Sequence, residues 1–269
     1  MKNILCVVDN IENSKSVIER GVEFAKIFNS KVIVVYTIHI PFFDLPIYSK
    51  KDLSIDKDGL TEKIRGIFKK INEDESLLHY ISVDFGDKTD RAIVEAKRDS
   101  VDIIVVGEHI NYEKVLSEAK KCMLVVKSKY KEYKNILCPT DLSLKSKKSI
   151  EFIKKYFKRA NFKLVYAYES VAVGMSMYDI SYFGMVEIQE ENRLIAEELF
   201  EEFKKEVNLD GDFIDANFSV PLALVEYIRE NSVDLVVVAS HTKENSNFLI
   251  GSVSSFLAKE LKCDIFIYN

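Results

Sequence analysis

Short, continuously apolar runs alternate with amphipathic stretches along the chain, and the whole alternation occurs twice. The run ILCVV (Ile4–Val8) leads into a stretch with Val17, Val22, Phe24 and Ala25 at helical spacing; ILCPT (Ile136–Thr140) leads into one with Ile150, Ile153 and Phe157. These patterns predict a buried strand followed by a helix with one apolar face. A second strand follows in each case, KVIVVY at Lys31–Tyr36 and FKLVYAY at Phe162–Tyr168. Charged helices are predicted near Asp58–Asn72 and Val186–Val207, third strands near Tyr80–Asp84 and Phe213–Asn217, then the helices AIVEAKRD and ALVEYIREN. Fourth strands are DIIVV and DLVVV, and last strands CMLVV and CDIFIY. Strands without polar alternation, interleaved with helices, imply a mostly parallel sheet covered on both faces. Each half is therefore expected to be a five-stranded α/β sandwich of Rossmann-like type.

The repetition extends to identities. KNILC stands at Lys2–Cys6 and at Lys134–Cys138, 132 residues apart. At the same offset Asp9 meets Asp141, Ser14 meets Ser146, Lys31 meets Lys163 and Tyr36 meets Tyr168. Far along, DSVDIIVVG (Asp99–Gly107) lies over NSVDLVVVA (Asn231–Ala239). A domain has been duplicated, with copies expected over 1–130 and 131–269. The register then breaks. Residues 108–121, 14 in number, separate Gly107 from Cys122, whereas residues 240–262, 23 in number, separate Ala239 from Cys263. The second copy thus carries nine more residues directly after its fourth strand. Open α/β sheets bind ligands at the carboxyl ends of their strands, so a difference there bears on chemistry more than on fold.

Composition narrows the partners. Of 269 residues 47% are hydrophobic and 30% charged, ample for a globular core, and the net charge of −5 disfavours a nucleic-acid backbone as partner. The opening apolar run is too short to span a membrane and carries no cleavage signal, so a cytoplasmic location without a membrane partner is expected. Cys6, Cys122, Cys138 and Cys263 each sit in an apolar, strand-like run without a Cys-x-x-Cys pair, which predicts buried reduced thiols. The four histidines lack ligand spacing, so no metal site is expected. No complete phosphate-binding P-loop and no supported Ser/His or Cys/His arrangement is present, and the chain does not read as an enzyme.

The nine added residues end in a helix start. In IGSVSSFLAKELKC, Gly251-Ser252 precede Val253, Phe256, Leu257 and Leu261, which share one face. A helix N-terminus offers unpaired N–H groups and partial positive charge to an anion, and glycine admits close approach. The same dipeptide is also an ordinary helix cap.

KNILCPTDLS (Lys134–Ser143), the VDLVVVAS strand and the closing IGSVSSFLAKELKCDIFIY together resemble the universal stress protein family, and the resemblance covers nearly the whole chain as a tandem pair. It implies two adenine nucleotide alpha hydrolase-like domains. Nucleotide-binding members carry Gly, two residues, Gly, nine residues, then Gly with Ser or Thr. Carried over, Thr140 and Asp141 after the first strand and Ala167 near the end of the second would hold adenosine, and Gly251, Ser252 and Val253 the phosphates. The two earlier glycines are replaced by Ala239 and Thr242, with eight residues between Thr242 and Gly251. Alanine and β-branched threonine tolerate positive φ poorly, so the loop must depart from the family path. In the first copy Asp9 and Val35 match the adenosine end, but EHINYEKVLSEAKK has no glycine, and that copy is read as degenerate. The resemblance implies ATP, ADP or AMP, with magnesium for ATP, as ligand of the second copy only, and at most slow hydrolysis. It also implies pairing of the two domains through their last strands, and a homodimer is a further expected partner state. A carboxylate at the start of a helix is also favourable on its own, so Asp141 has a structural reading too.

Two apolar segments, VAVGMSMYDISYFGM (Val171–Met185) and IPFFDLPIY (Ile40–Tyr48), read either as satellite core or as ligand or partner surface. Alternating charges in EKIRGIFKK and EEFKKE read as solvated helix faces. The rival to a nucleotide-binding regulator is a scaffold in which the duplicated fold supplies surfaces.

Overall fold

The computed structural model describes residues 3–8, 10–38, 56–98, 100–108, 110–169, 182–216, 219–240 and 252–269, with the side chains of residues 12, 13, 182–187 and 252 excepted. The segments 40–48 and 171–181, Asp9, Thr242 and Gly251 lie outside them. Ten strands occur among the described residues: β1 (Asn3–Val8), β2 (Lys31–Ile38), β3 (Leu78–Phe85), β4 (Val101–Val106), β5 (Cys122–Val125), β6 (Asn135–Pro139), β7 (Asn161–Tyr168), β8 (Gly211–Asp215), β9 (Leu235–Ala239) and β10 (Asp264–Tyr268). The helices between them are α1 (Ile11–Phe28), α2 (Lys57–Ile71), α3 (Lys88–Arg98), α4 (Tyr112–Ala119), α5 (Leu144–Tyr156), α6 (Tyr182–Val207), α7 (Val220–Glu230) and α8 (Ser252–Glu260).

Local chemistry sets the helix ends. The side chains of Asp56 and Asn111 accept from the backbone N–H of Gly59 and Lys114, each three residues on, and so start α2 and α4. Proline in the first turn starts α7, where its missing N–H costs nothing. Lys120 closes α4 in the left-handed region at φ 52°.

The described residues group into two compact units. One runs to Glu132 and also takes in Asp264–Asn269; the other spans Tyr133–Ser240 and residues 252–263. In the first, strand order is β3-β2-β1-β4-β5-β10. Its first five strands are parallel, and β10 runs antiparallel to β5, Phe266 opposite Leu124. In the second, β9-β6-β7-β8 are all parallel. The strand that closes the second copy in sequence therefore belongs to the first unit in space. The apolar runs are the core: Ile4–Cys6, Val32–Val35, Ile103–Val105 and Leu235–Val237 are fully buried. Helix α1 faces them with Val17, Ile18, Val22, Phe24 and Ala25, as its periodicity predicts.

Helix α1 also meets β10 in two matched rows. Arg20 and Phe24 lie one helical turn apart, and Asp264 and Phe266 lie two residues apart on one strand face. The Arg20 Nε donates to Asp264 Oδ2 at 3.1 Å, both side chains wholly buried. The Phe24 and Phe266 rings are 6.1 Å apart at 31°. Asp264 Oδ1 accepts from the N–H of Lys127 and of Ser128 and from the Ser128 hydroxyl, all at 2.9 Å. The guanidinium of Arg20 donates further to Glu23 Oε2 at 2.7 Å and to the Lys131 carbonyl at 2.8 Å. This cluster satisfies a buried ion pair on nearly every side, the condition under which one is tolerated.

The thiols divide. Cys6 and Cys138 are buried and Cys122 and Cys263 half-buried, none of them in a disulfide, so the uniformly buried set expected from the sequence holds for two. Burial pushes the Cys138 thiol up to about 12 and the Cys6 thiol higher still. Since the thiolate is the reactive form, an aromatic disulfide reagent at pH 8 is expected to titrate Cys122 and Cys263 quickly, and Cys6 and Cys138 only after denaturant is added. Four equally fast thiols in the folded protein would contradict that burial.

Candidate functional site

In the second unit β6 sits between β9 and β7, and the chain leaves β6 toward β7 yet arrives on its other side as β9. The connections diverge there, at the carboxyl ends of β6 and β9, the position at which parallel sheets take ligands. Four of the residues singled out from the sequence are brought to this edge: Thr140 and Asp141 just past β6, Ala239 at the end of β9, and Val253 in the first turn of α8. Ala167 lies one strand away, near the end of β7, opposite Ile214. Ala167 and Ala239 are buried and Val253 half-buried. Thr242 and Gly251 lie outside the described residues, as does the Ser252 side chain, although Ser252 opens α8 as its Gly-Ser signature predicts.

The turn after β6 is tightly specified. The Thr140 N–H donates to the Val165 carbonyl at 3.0 Å, continuing the pairing of β6 with β7 by one residue. The Thr140 Oγ1 then accepts from the Leu142 N–H at 3.0 Å. Leu142 is held at φ 62°, a left-handed conformation that costs a bulky residue about 1–3 kcal/mol and persists only where the surroundings dictate it. Asp141 is exposed, and its Oδ1 accepts from the Ser143 N–H at 3.1 Å and from the Ser146 hydroxyl at 2.5 Å. Ser143 caps α5 by accepting from the Ser146 N–H at 3.1 Å. The structural reading of Asp141 is thus real: one of its oxygens is spent on the helix start. A carboxylate has two oxygens and about four acceptor sites, so this use is compatible with ligand contact.

Three further residues at this edge carried no sequence signal. Ser254, in the first turn of α8, donates its hydroxyl to the Ala239 carbonyl at 3.0 Å and fastens the helix start to the end of β9. Ser240, 1% exposed, follows directly. Lys145, in the first turn of α5, places its Nζ 3.0 Å from the Ser240 Oγ. None of these contacts is periodic or local, so no spacing rule could have found them. The Ser143–Ser146 cap could have been read from its three-residue spacing.

No helix among the described residues is long and apolar enough to cross a membrane. A family model described as the universal stress protein family matches the chain twice, over residues 1–127 and 132–269. Among solved structures, a functionally unknown protein from Pseudomonas aeruginosa PAO1 aligns with a TM-score of 0.66 at 11% identity, covering 99% of this chain and 92% of that one. A putative universal stress protein from Pseudomonas aeruginosa UCBPP-PA14 aligns at 0.65 with 12% identity, over 99% and 92%. A universal stress protein from Archaeoglobus fulgidus DSM 4304 aligns at 0.62 with 14% identity, over 99% and 98%. At such identities the likeness establishes the fold. No curated protein matches the chain.

Proposed function

The chain belongs to the universal stress protein family, and from that premise we propose that its second copy, over 131–269, binds an adenine nucleotide and acts as a cytoplasmic stress-response regulator or sensor. The observation that carries this reading is the convergence of Thr140, Asp141, Ala239 and the start of α8 on one edge beside β6, with Leu142 held in a strained conformation next to it. Strain of that kind concentrates where a binding surface is preorganised. Ala167 carries only a methyl group near the end of β7, where a flat base would lie, and Asp141 can accept from a ribose hydroxyl. Ser252 and Val253 open α8, whose first N–H groups would meet phosphate, with Gly251 preceding them in sequence. Hydrolysis is at most slow, for the one carboxylate of this set, Asp141, has its Oδ1 engaged by Ser143 and Ser146 and is no evident general base. The first copy, over 1–130, has no glycine in the corresponding segment and is left without a phosphate site.

Calorimetric titration of nucleotide-stripped protein with ATP and magnesium tests the reading through its stoichiometry. One site per chain is expected, with Gly251→Val or Ser252→Ala weakening it and Asp9→Ala leaving it unchanged. Two sites would mean that the first copy also binds. Absence of heat with ATP, ADP and AMP alike would favour the second reading, a scaffold built on paired copies. That reading has its own observation: the last strands of the two copies, β5 and β10, pair antiparallel from Ile265 with Val125 to Ile267 with Met123. Such pairing suits an internal pseudo-dimer, with homodimers as its intermolecular counterpart.

A further inference from the structure

Resting on the nucleotide reading above, we infer that Lys145 is a phosphate contact of the second copy, standing in for the loop glycines that Ala239 and Thr242 replace. Lys145 is the second residue of α5, in the first turn, where a cation opposes the helix dipole and where α5 carries no acidic residue. Its side chain is half-buried and turns over the strand ends to the Ser240 hydroxyl at 3.0 Å. Ser240 is itself buried and follows Ala239, whose carbonyl holds the start of α8 through Ser254. One ammonium is thereby held beside the end of β9, whose last carbonyl also fastens the helix start to which phosphate is assigned. An ammonium has three donors, and its point charge suits a polyphosphate whose negative charge is spread over several oxygens.

The duplication supplies an internal control. At the 132-residue offset Asn13 replaces Lys145 and Glu108 replaces Ser240. In sequence the first copy thus carries a neutral amide and a carboxylate at the positions where the second carries a cation and a hydroxyl, an exchange that is less favourable to an anion. The lysine accompanies the copy that retains Gly251-Ser252 and is lost from the copy that does not.

The test compares ATP with adenosine, which lacks phosphates, on wild type, Lys145→Gln and Lys147→Gln. Lys147 lies on the same helix and pairs with Glu206 at 2.9 Å, so it controls for lost helix charge. Lys145→Gln is expected to weaken ATP binding about tenfold or more, the loss of one charge-assisted hydrogen bond, with adenosine affinity and thermal midpoint unchanged. Lys147→Gln should bind both ligands like wild type. Equal ATP affinity in wild type and Lys145→Gln would overturn the assignment while leaving the nucleotide reading intact. Tighter ATP binding by Lys145→Gln would overturn it too, making the lysine an occluding group. A wild type that binds neither ligand would remove the nucleotide reading, and this assignment with it.

Discussion

Asp264→Ala is expected to destabilise the first unit by about 3–5 kcal/mol, the penalty for stripping one partner from a buried ion pair. This carboxylate accepts from the Arg20 guanidinium, from the backbone N–H groups of Lys127 and Ser128 and from the Ser128 hydroxyl. Alanine leaves those donors facing an apolar methyl in a place with no exposure. Water cannot replace the acceptor without opening the packing between α1 and β10. Arg20→Met should cost a similar amount, because it leaves the Asp264 carboxylate buried without a cation and removes the donor to Glu23 and to the Lys131 carbonyl, although the neutral donors from Lys127 and Ser128 remain. Urea titration followed by hydrogen exchange on α1 and β5 peptides measures both. A loss near 1 kcal/mol for Asp264→Ala would place the pair with exposed, solvent-screened ones and contradict its burial.

This cluster marks the border of what the sequence reveals. Strands and helices were legible because their signals are periodic or local. Continuously apolar runs gave the parallel sheets, and Gly-Ser gave the start of α8. Strand limits moved by a few residues: the third strand of the second copy runs Gly211–Asp215 instead of near Phe213–Asn217. There Asp212 alternates with Phe213 and pairs with Lys163 at the surface, which masks the apolar pattern. Arg20 and Asp264 are separated by 244 positions, and neither has a counterpart in the other copy. Phe152 stands at the offset of Arg20, and Met123 in β5 stands where Asp264 stands in β10, each directly after the cysteine that the two copies share. Duplication reveals what two copies share, so an interaction present once stays invisible to it. Asp141 was marked by its repeat partner Asp9, and Thr140 and Ala239 were singled out only through the family resemblance, whereas Lys145 and Ser240 became visible only through their mutual distance.

Phe266→Ala is expected to cost a further about 3–5 kcal/mol, the range for emptying a buried aromatic site. The ring is wholly buried, packs on Phe24, and lies opposite Leu124 in the antiparallel pair. Neighbouring atoms on α1 are held by Arg20 one turn away, so the cavity cannot collapse by a simple shift of the helix. The two substitutions should therefore couple. Once Asp264→Ala has loosened α1 from β10, the helix can settle into the space left by the ring, and the double variant should lose less than the sum by about 0.5–3 kcal/mol. Hydrogen exchange decides where the loss falls. If β10 belongs energetically to the first unit, Phe266→Ala must release protection in α1, β4 and β5, segments encoded more than a hundred residues earlier. Protection lost only from β6 to β9 would instead return the strand to the copy that encodes it, and would dissolve the argument that one copy is completed by the other.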